Sequence, residues 1–451
     1  MLINNSVVIH LVPLRGSFVF LFIPLSLLLL LLGSFPALAA IQTDGPVVGG
    51  VTDSEAKLFA RTDVAAVVEI EYSTASDLSG ALVSSSLQTD AAQDYTSIIR
   101  LQGLQPDTRY YYRVLVDGVA QQSSPYPTFT SFPVPGTVQD FTFAVMADVD
   151  DGRKTLAPTY ESIATDSPAF VLQIGDFDHR DPPNLNAMRL MHREVRGTGM
   201  IAGATFRDNI GVALPLFHVW DDHDFGADDA NKNFPGKADA LQAFKEYYPT
   251  PDLPNPDHGI WHSFTYGNAE FFMLDTRSNR DPALLPNTRS KSMLDGDVIA
   301  NGQKAWLLDG LLNSTATWKF IITSVPFNPT VQKLGRDSWQ GYPNERWQIV
   351  NHIQTNGITG VIAISADLHS GGAIDDGTNA DIPEVSVPHT NMLFKKFTTA
   401  IKPGEWSEGI LPGDASPGYA TLRVQTNPDQ VIIETRGSDG SIRQTYTAPA
   451  L

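Results

Sequence analysis

The stretch FTFAVMADVDDGRKTLAPTYESIATDSPAFVLQIGDFDHRD, Phe141 to Asp181, decides the fold class. It opens on an apolar run ending in acid, continues through LAPTYESIATDSPAF with helical spacing, and closes on a second apolar run ending in acid. Strand, helical crossover and strand make a βαβ unit, and in such sheets ligands bind beyond the carboxyl ends of the strands. Both acidic ends therefore fall at one edge.

Two further runs repeat this grammar. ALPLFHVWDDHD ends in Asp221, Asp222 and His223, and TGVIAISADLHSGG sets Asp367 and His369 just behind an apolar run. Between them GQKAWLLDGLLNST carries a helical apolar stripe and WKFIITSVPF reads as another strand. One carboxylate at a strand end is commonly a helix cap. Asp148, Asp176, Asp222 with His223, and Asp367 with His369 form a set that capping does not explain. The loop HVWDDHDFGADDAN alone holds Asp221, Asp222, Asp224, Asp228 and Asp229. Carboxylates so crowded must be protonated, paired or bound to cations, and these loops are poor in lysine and arginine. Metal ions supply the counter-charge. With no cysteine in the chain, the ligands must be oxygen and imidazole, and disulfides, zinc fingers and thiol proteases are excluded.

In their order, ADVDD, IGDFDH, WDDHD and SADLH resemble the aspartate and histidine series of the calcineurin-like metallophosphoesterases. Within that superfamily the chain is similar to the PhoD-like (alkaline phosphatase D) family, through WDDHD, QKAWLLDGL and the opening GPVVGGVTDSEAKLFART. The likeness runs from Gly45 to His389. It implies an α/β fold, a four-layer α/β/β/α sandwich preceded by a small all-β fibronectin-III-like domain. It implies that Asp148 and His369 bind a first metal, that Asp176 bridges two, that Asp222 and Asp367 bind the second, and that His223 faces the scissile phosphate. His179 stands where related enzymes often place a metal-ligating tyrosine and joins the metal set. Asp150, Asp178, Asp221 and Asn231 are candidates for contact with substrate or ligands. Two or more divalent or trivalent ions are expected: iron plus calcium by family, with manganese or zinc also compatible with imidazole and carboxylate. The implied reaction is hydrolysis of a small phosphate ester by a metal-bridging hydroxide, two metals standing roughly 3.5–4 Å apart.

Upstream, residues 44–132 read as a β-sandwich: EAKLFART, AAVVEIEYST, DYTSIIRLQGL and TRYYYRVLVDG are short β-branched and aromatic runs between turn residues. LQGLQPDTRYYYRVLV resembles a tyrosine corner at Tyr110, although plain inward and outward alternation explains Tyr110, Tyr111 and Tyr112 equally. SSPYPTFTSFPVPG is the linker to a phosphatase domain over 138–451. Residues 1–40, with SFVFLFIPLSLLLLLLGSFPALAA, read as a signal peptide ending in an A-x-A pattern. Secreted, periplasmic or extracellular placement follows, with an uncleaved membrane anchor as the alternative. No Arg-Arg pair precedes the apolar run. At the far end, GYATLRVQTNPDQVIIETRGSDGSIRQTYT reads as three strands that complete the second sheet.

Composition bounds the rest. With 451 residues the chain should hold two or three folding units, and 50 acidic against 31 basic residues give a net charge of −19. Binding to duplex nucleic acid is not expected on that charge. No stable membrane partner is expected unless the signal is uncleaved, and the sequence leaves the oligomeric state open. A phospholipase-type phosphodiesterase and a non-catalytic calcium-binding surface protein are the competing functions; His223 has no use in the latter. Of the remaining groups, His192 in a helical amphipathic segment reads as a surface or helix residue, His218 as core, His262 as part of a hairpin, and His389 as a strand-end residue. Arg180 and Arg277 read as phosphate contacts or surface ion pairs.

Overall fold

Residues 39–149, 158–197, 205–296, 302–331, 334–391, 404–412 and 417–450 are described by the computed structural model. The stretch read as a signal peptide lies outside them except for its last two residues, and so does Asp150. Among the described residues no helix is long and apolar enough to cross a membrane.

Alternation along the strands shows how the layers are built. In the strand Ala269–Met273, Phe271 packs into the larger core, while its neighbour Phe272 packs into a second one. Trp318–Ile322 divides likewise, with Phe320 and Ile322 on one side and Ile321 on the other, and in Val361–Ser365 Ile362 and Ile364 oppose Val361 and Ala363. Successive side chains of a strand leave opposite faces, so this sheet is covered on both. Its outer face holds Leu307 and Leu311 of the helix Gln303–Asn313 and Ile349 and Ile353 of Pro343–Thr355. Its inner face meets the larger sheet.

That larger sheet has ten strands. Its centre is parallel: Phe141–Val149 pairs with Val171–Ile174, which pairs with Leu216–Val219. The helix Thr159–Asp166 makes the predicted crossover. Between the two sheets lies an aromatic block. The Phe170 ring stacks on Phe143 at 5.2 Å and meets Phe264 and Phe271 edge-on at 5.3 and 5.2 Å. Phe271 stacks in turn on Phe320 at 4.8 Å. Each such ring contributes roughly 1.5–3 kcal/mol of burial.

The expectation for the C-terminal strands fails. Gly418–Thr426, Asp429–Gly437 and Ile442–Pro449 extend the larger sheet, because Gly418–Thr426 pairs antiparallel with Phe141–Val149, Phe141 opposite Val424. Val171–Ile174 occupies only one side of Phe141–Val149, and the C-terminal strand covers the other from Phe141 to Val145, while His389–Asn391 pairs with Ala147 and Val149.

The N-terminal strands divide between two sheets. Gln42–Gly49, Glu55–Thr62 and Thr96–Gln102 join the larger sheet through a parallel bridge between Gly49 and Leu216. Val67–Ser73 and Arg109–Val116 lead a separate sheet and bury every second residue. The Tyr110 hydroxyl accepts the Gln105 backbone N–H at 2.7 Å, so the strand alternation and the tyrosine corner are both present.

Three histidines sit inside this scaffold. His192 is buried, contrary to the surface reading, because it falls on the stripe Met188, Met191, Val195 of the helix Leu185–Arg196. His218 stacks on Tyr248 with centroids 3.9 Å apart, and His262 lies in the hairpin His262–Tyr266 and Ala269–Met273. Burial holds all three below the usual imidazole range, His262 at about 4.

Candidate metal centre

Each candidate ligand stands where a strand runs out. Asp148 closes Phe141–Val149, Asp176 follows Val171–Ile174 by two residues, and Asp367 and His369 follow Val361–Ser365. All four have left-handed backbones, with φ of +57°, +49°, +60° and +48°. Such conformations cost on the order of 1–3 kcal/mol for residues other than glycine and persist only where surroundings impose them. Gly175 shows how close those surroundings are, since a Cβ there would stand 2.7 Å from the Asp221 Cβ. The turn can therefore press Asp176 against the loop that carries Asp221 and Asp222.

Asp176 is the hub. With ligand atoms mutually within 4.8 Å it groups with Asp148 and His369, with His179 and His223, and with Asp221 and Asp367. Both its carboxylate oxygens are fully buried and accept no hydrogen bond. His179 Nε2 stands 3.2 Å from Asp176 Oδ2 without hydrogen-bond alignment, while its Nδ1 lies 2.7 Å from the Val149 carbonyl. A carbonyl can only accept, so Nδ1 carries the proton and Nε2 turns a lone pair toward Asp176 in the neutral ring. Two buried oxygens and an imidazole nitrogen lacking donors, beside further carboxylates, fit cations that favour oxygen and nitrogen.

On the loop, Asp222 opens the short helix Asp222–Phe225, its carboxylate accepting the backbone N–H of Asp229 at 2.7 Å and of His223 at 3.1 Å. His223 Nδ1 donates to Asp181 Oδ1 at 2.6 Å, leaving Nε2 free of that bond and 4.0 Å from Asp228 Oδ1. The geometry admits His223 as a ligand too, in two of the groups. Asp178 is tied to Arg180, whose Nε lies 2.5 Å from it, and Arg180 also pairs with Glu194. Arg180 thus holds its own loop. The Asn231 side chain accepts the Asn233 N–H at 3.2 Å, which is turn capping. His389 enters the strand His389–Asn391, paired with Ala147 beside Asp148.

Sequence reading misses the charges behind this cluster. Arg277 is fully buried, contrary to the surface reading, with Nε 2.5 Å from Asp221 and a two-pronged pair to Asp337 at 3.2 and 2.9 Å. Asp337 in LGRDSWQG follows no apolar run and gives no strand-end signal. Asp181 and Asp224 are likewise missed as partners. Asp224 accepts the Phe177 N–H at 2.8 Å, and burial together with the charge of Asp176 pushes its carboxyl well above the usual range.

Stripped of cations, the site would take up protons instead. Burial is the largest single influence and opposes charge on His179 and His223, but it is outweighed at His179 by Asp176 with the Val149 carbonyl, and at His223 by Asp176, Asp181 and Asp222 acting together. Their imidazoles are raised to about 9 and about 10. A raised folded-state pKa stabilises fully below the unfolded value of about 6.5 and is lost as pH climbs through the folded value. The chelator-stripped chain should therefore melt at progressively lower temperature as pH rises from about 7 to about 10. Loading with cations at pH about 7.5 should release protons, because His179 must lose its Nε2 proton to coordinate. A flat melting curve over that range, with no proton release in a weakly buffered titration, would contradict this.

Comparison with known proteins follows the same lines. The sequence matches the PhoD-like phosphatase family over residues 154–408 and the PhoD-like phosphatase N-terminal domain over residues 39–133. Alkaline phosphatase D of Bacillus subtilis (strain 168) is 27% identical over 324 residues, which is 61% of this chain and 53% of that protein. The chain thus spans about half the length of that relative. A solved structure of PhoD superposes with a TM-score of 0.70 at 19% identity, over 89% of this chain and 88% of that one. Purple acid phosphatase PPD1 from yellow lupin (Lupinus luteus) seeds superposes at 0.66 with 15% identity, over 91% and 74%. These superpositions, with the layers described above, establish the metallophosphoesterase-like α/β fold with its N-terminal all-β part. With the family match extending over more than half of its length, the chain belongs to the PhoD-like phosphatase family.

Proposed function

We propose that this protein is a secreted, metal-dependent phosphoesterase acting on small phosphate esters. The observation that carries the reading is Asp176, a fully buried carboxylate on which three sets of potential ligands converge. Asp148 and His369 would hold a cation on one side of it, Asp222 and Asp367 one on the other, and His179 Nε2 would add to the set. When bound, the cations supply Lewis acidity, drawing the ester's charge into a globally acidic protein and lowering the pKa of water at the site. Family membership favours iron with calcium; the donor set also suits manganese and zinc.

The chain's own residues do the rest. Asp181 fixes the His223 ring through Nδ1, so a proton on Nε2 can pass to the leaving oxygen as its bond to phosphorus breaks. Asp224 braces the turn of Asp176 through the Phe177 N–H. The apolar run and A-x-A pattern of residues 1–40 support export.

Hydrolysis of a chromogenic phosphate monoester and a diester, with and without chelator, tests the reading on the mature chain and on His223→Ala. Chelator-sensitive turnover that falls about a hundredfold or more in the variant is expected, the usual size for loss of a general acid. Folded protein supplied with iron, calcium, manganese and zinc that turns over neither ester would overturn it in favour of a cation-binding protein.

A further inference from the structure

The Arg277 guanidinium lies in the turn after the strand Ala269–Met273 and faces four carboxylates. Besides its pairs with Asp221 and Asp337, Nη2 stands 3.5 Å from Asp222 Oδ1 and 4.0 Å from Asp367 Oδ2. Arg280 places a second guanidinium on Asp337. All six side chains are buried. Four carboxylates against two guanidiniums leave two negative charges, which one divalent cation would neutralise. Arginine does not give up its proton in proteins, so this positive charge stays when a metal leaves.

Its position has two consequences. Carboxylates packed together out of water without counter-charge would protonate or move apart, and the charge of Arg277 opposes both. The same charge also opposes any cation brought between Asp222 and Asp367.

We propose that Arg277 is a fixed cation of the metal centre, holding Asp222 and Asp367 in place before loading and weakening the site for the cation they bind. That cation is then the exchangeable one of the pair. The proposal rests on the reading of Asp222 and Asp367 as ligands. Arg277 is a positioning residue, acting through these carboxylates and not on the ester.

Manganese(II) alone, added to chelator-stripped protein and followed by electron paramagnetic resonance, tests it. Competition with a chelator starting from loaded protein gives the same affinities without requiring the metal-free variant to stay folded. Wild type should hold two manganese ions, one more weakly than the other. In Arg277→Met the weaker site should tighten about tenfold or more, while the metal-free chain melts at lower temperature. Arg277→Lys keeps the charge, and its weaker site should stay within about threefold of wild type. A weaker site unchanged or further weakened in Arg277→Met would overturn the proposal and leave Arg277 as a structural clamp. A wild type that binds fewer than two ions would overturn the ligand reading itself, and the proposal with it.

Discussion

Asp176→Asn is expected to lower kcat/KM for a phosphate ester about a thousandfold or more, which is about 4 kcal/mol of transition-state stabilisation. The change is nearly isosteric, and asparagine accepts the left-handed backbone that Asp176 adopts at φ +49°. Folding should therefore survive, with an unchanged circular dichroism spectrum. What is lost is charge at the point where the ligand sets converge. An amide offers one oxygen and no negative charge where two buried oxygens now stand without donors. Metal content by mass spectrometry should drop below that of wild type, and added metal should not restore turnover. A variant that keeps its metals and loses less than about tenfold in kcat/KM would remove Asp176 from the centre of the site.

The second large effect concerns the block between the sheets. Phe170→Ala should destabilise the chain by about 3–5 kcal/mol, as other buried Phe-to-Ala changes do. Phe170 touches the larger sheet through Phe143, the smaller through Phe264 and Phe271, and the N-terminal region through Phe132 at 5.6 Å. No single shift of neighbours can fill the space when three groups of elements border it. The urea midpoint should fall accordingly. Metal bound per folded molecule should not change, which separates this effect from that of Asp176→Asn. A loss below about 1 kcal/mol would mean that the block repacks freely.

How far the sequence carries this picture depends on where each element's information lies. Apolar runs ending in Asp or His are local signals, so Asp148, Asp176, Asp222 and Asp367 can be singled out; the structure groups Asp148 and Asp367 each with Asp176, and sets Asp222 beside His223 and Asp228. The βαβ unit is legible for the same reason. Partnership across the chain is not local. Arg277 follows an apolar run just as the aspartates do, but nothing in DTRSNR tells a buried guanidinium from an exposed one; Asp337, some distance along the chain, decides it. Alternation in GYATLRVQT announces a strand and is silent about its sheet, because the choice is made by the open edge of Phe141–Val149. His192 shows the converse error. Its helix carries so much charge around the apolar stripe that the ring reads as solvated, although it lies on the stripe itself.

The pairing of Phe141 with Val424 also orders events during synthesis. As the chain emerges, Val171–Ile174 follows Phe141–Val149 promptly, while Gly418–Thr426 arrives only near the end. Contacts of such long sequence separation form late. The first five residues of the strand that delivers Asp148 thus wait with one flank uncovered until almost the whole protein exists. Clipping off the last three strands would remove none of the candidate ligands, yet it would strip the support from beneath them.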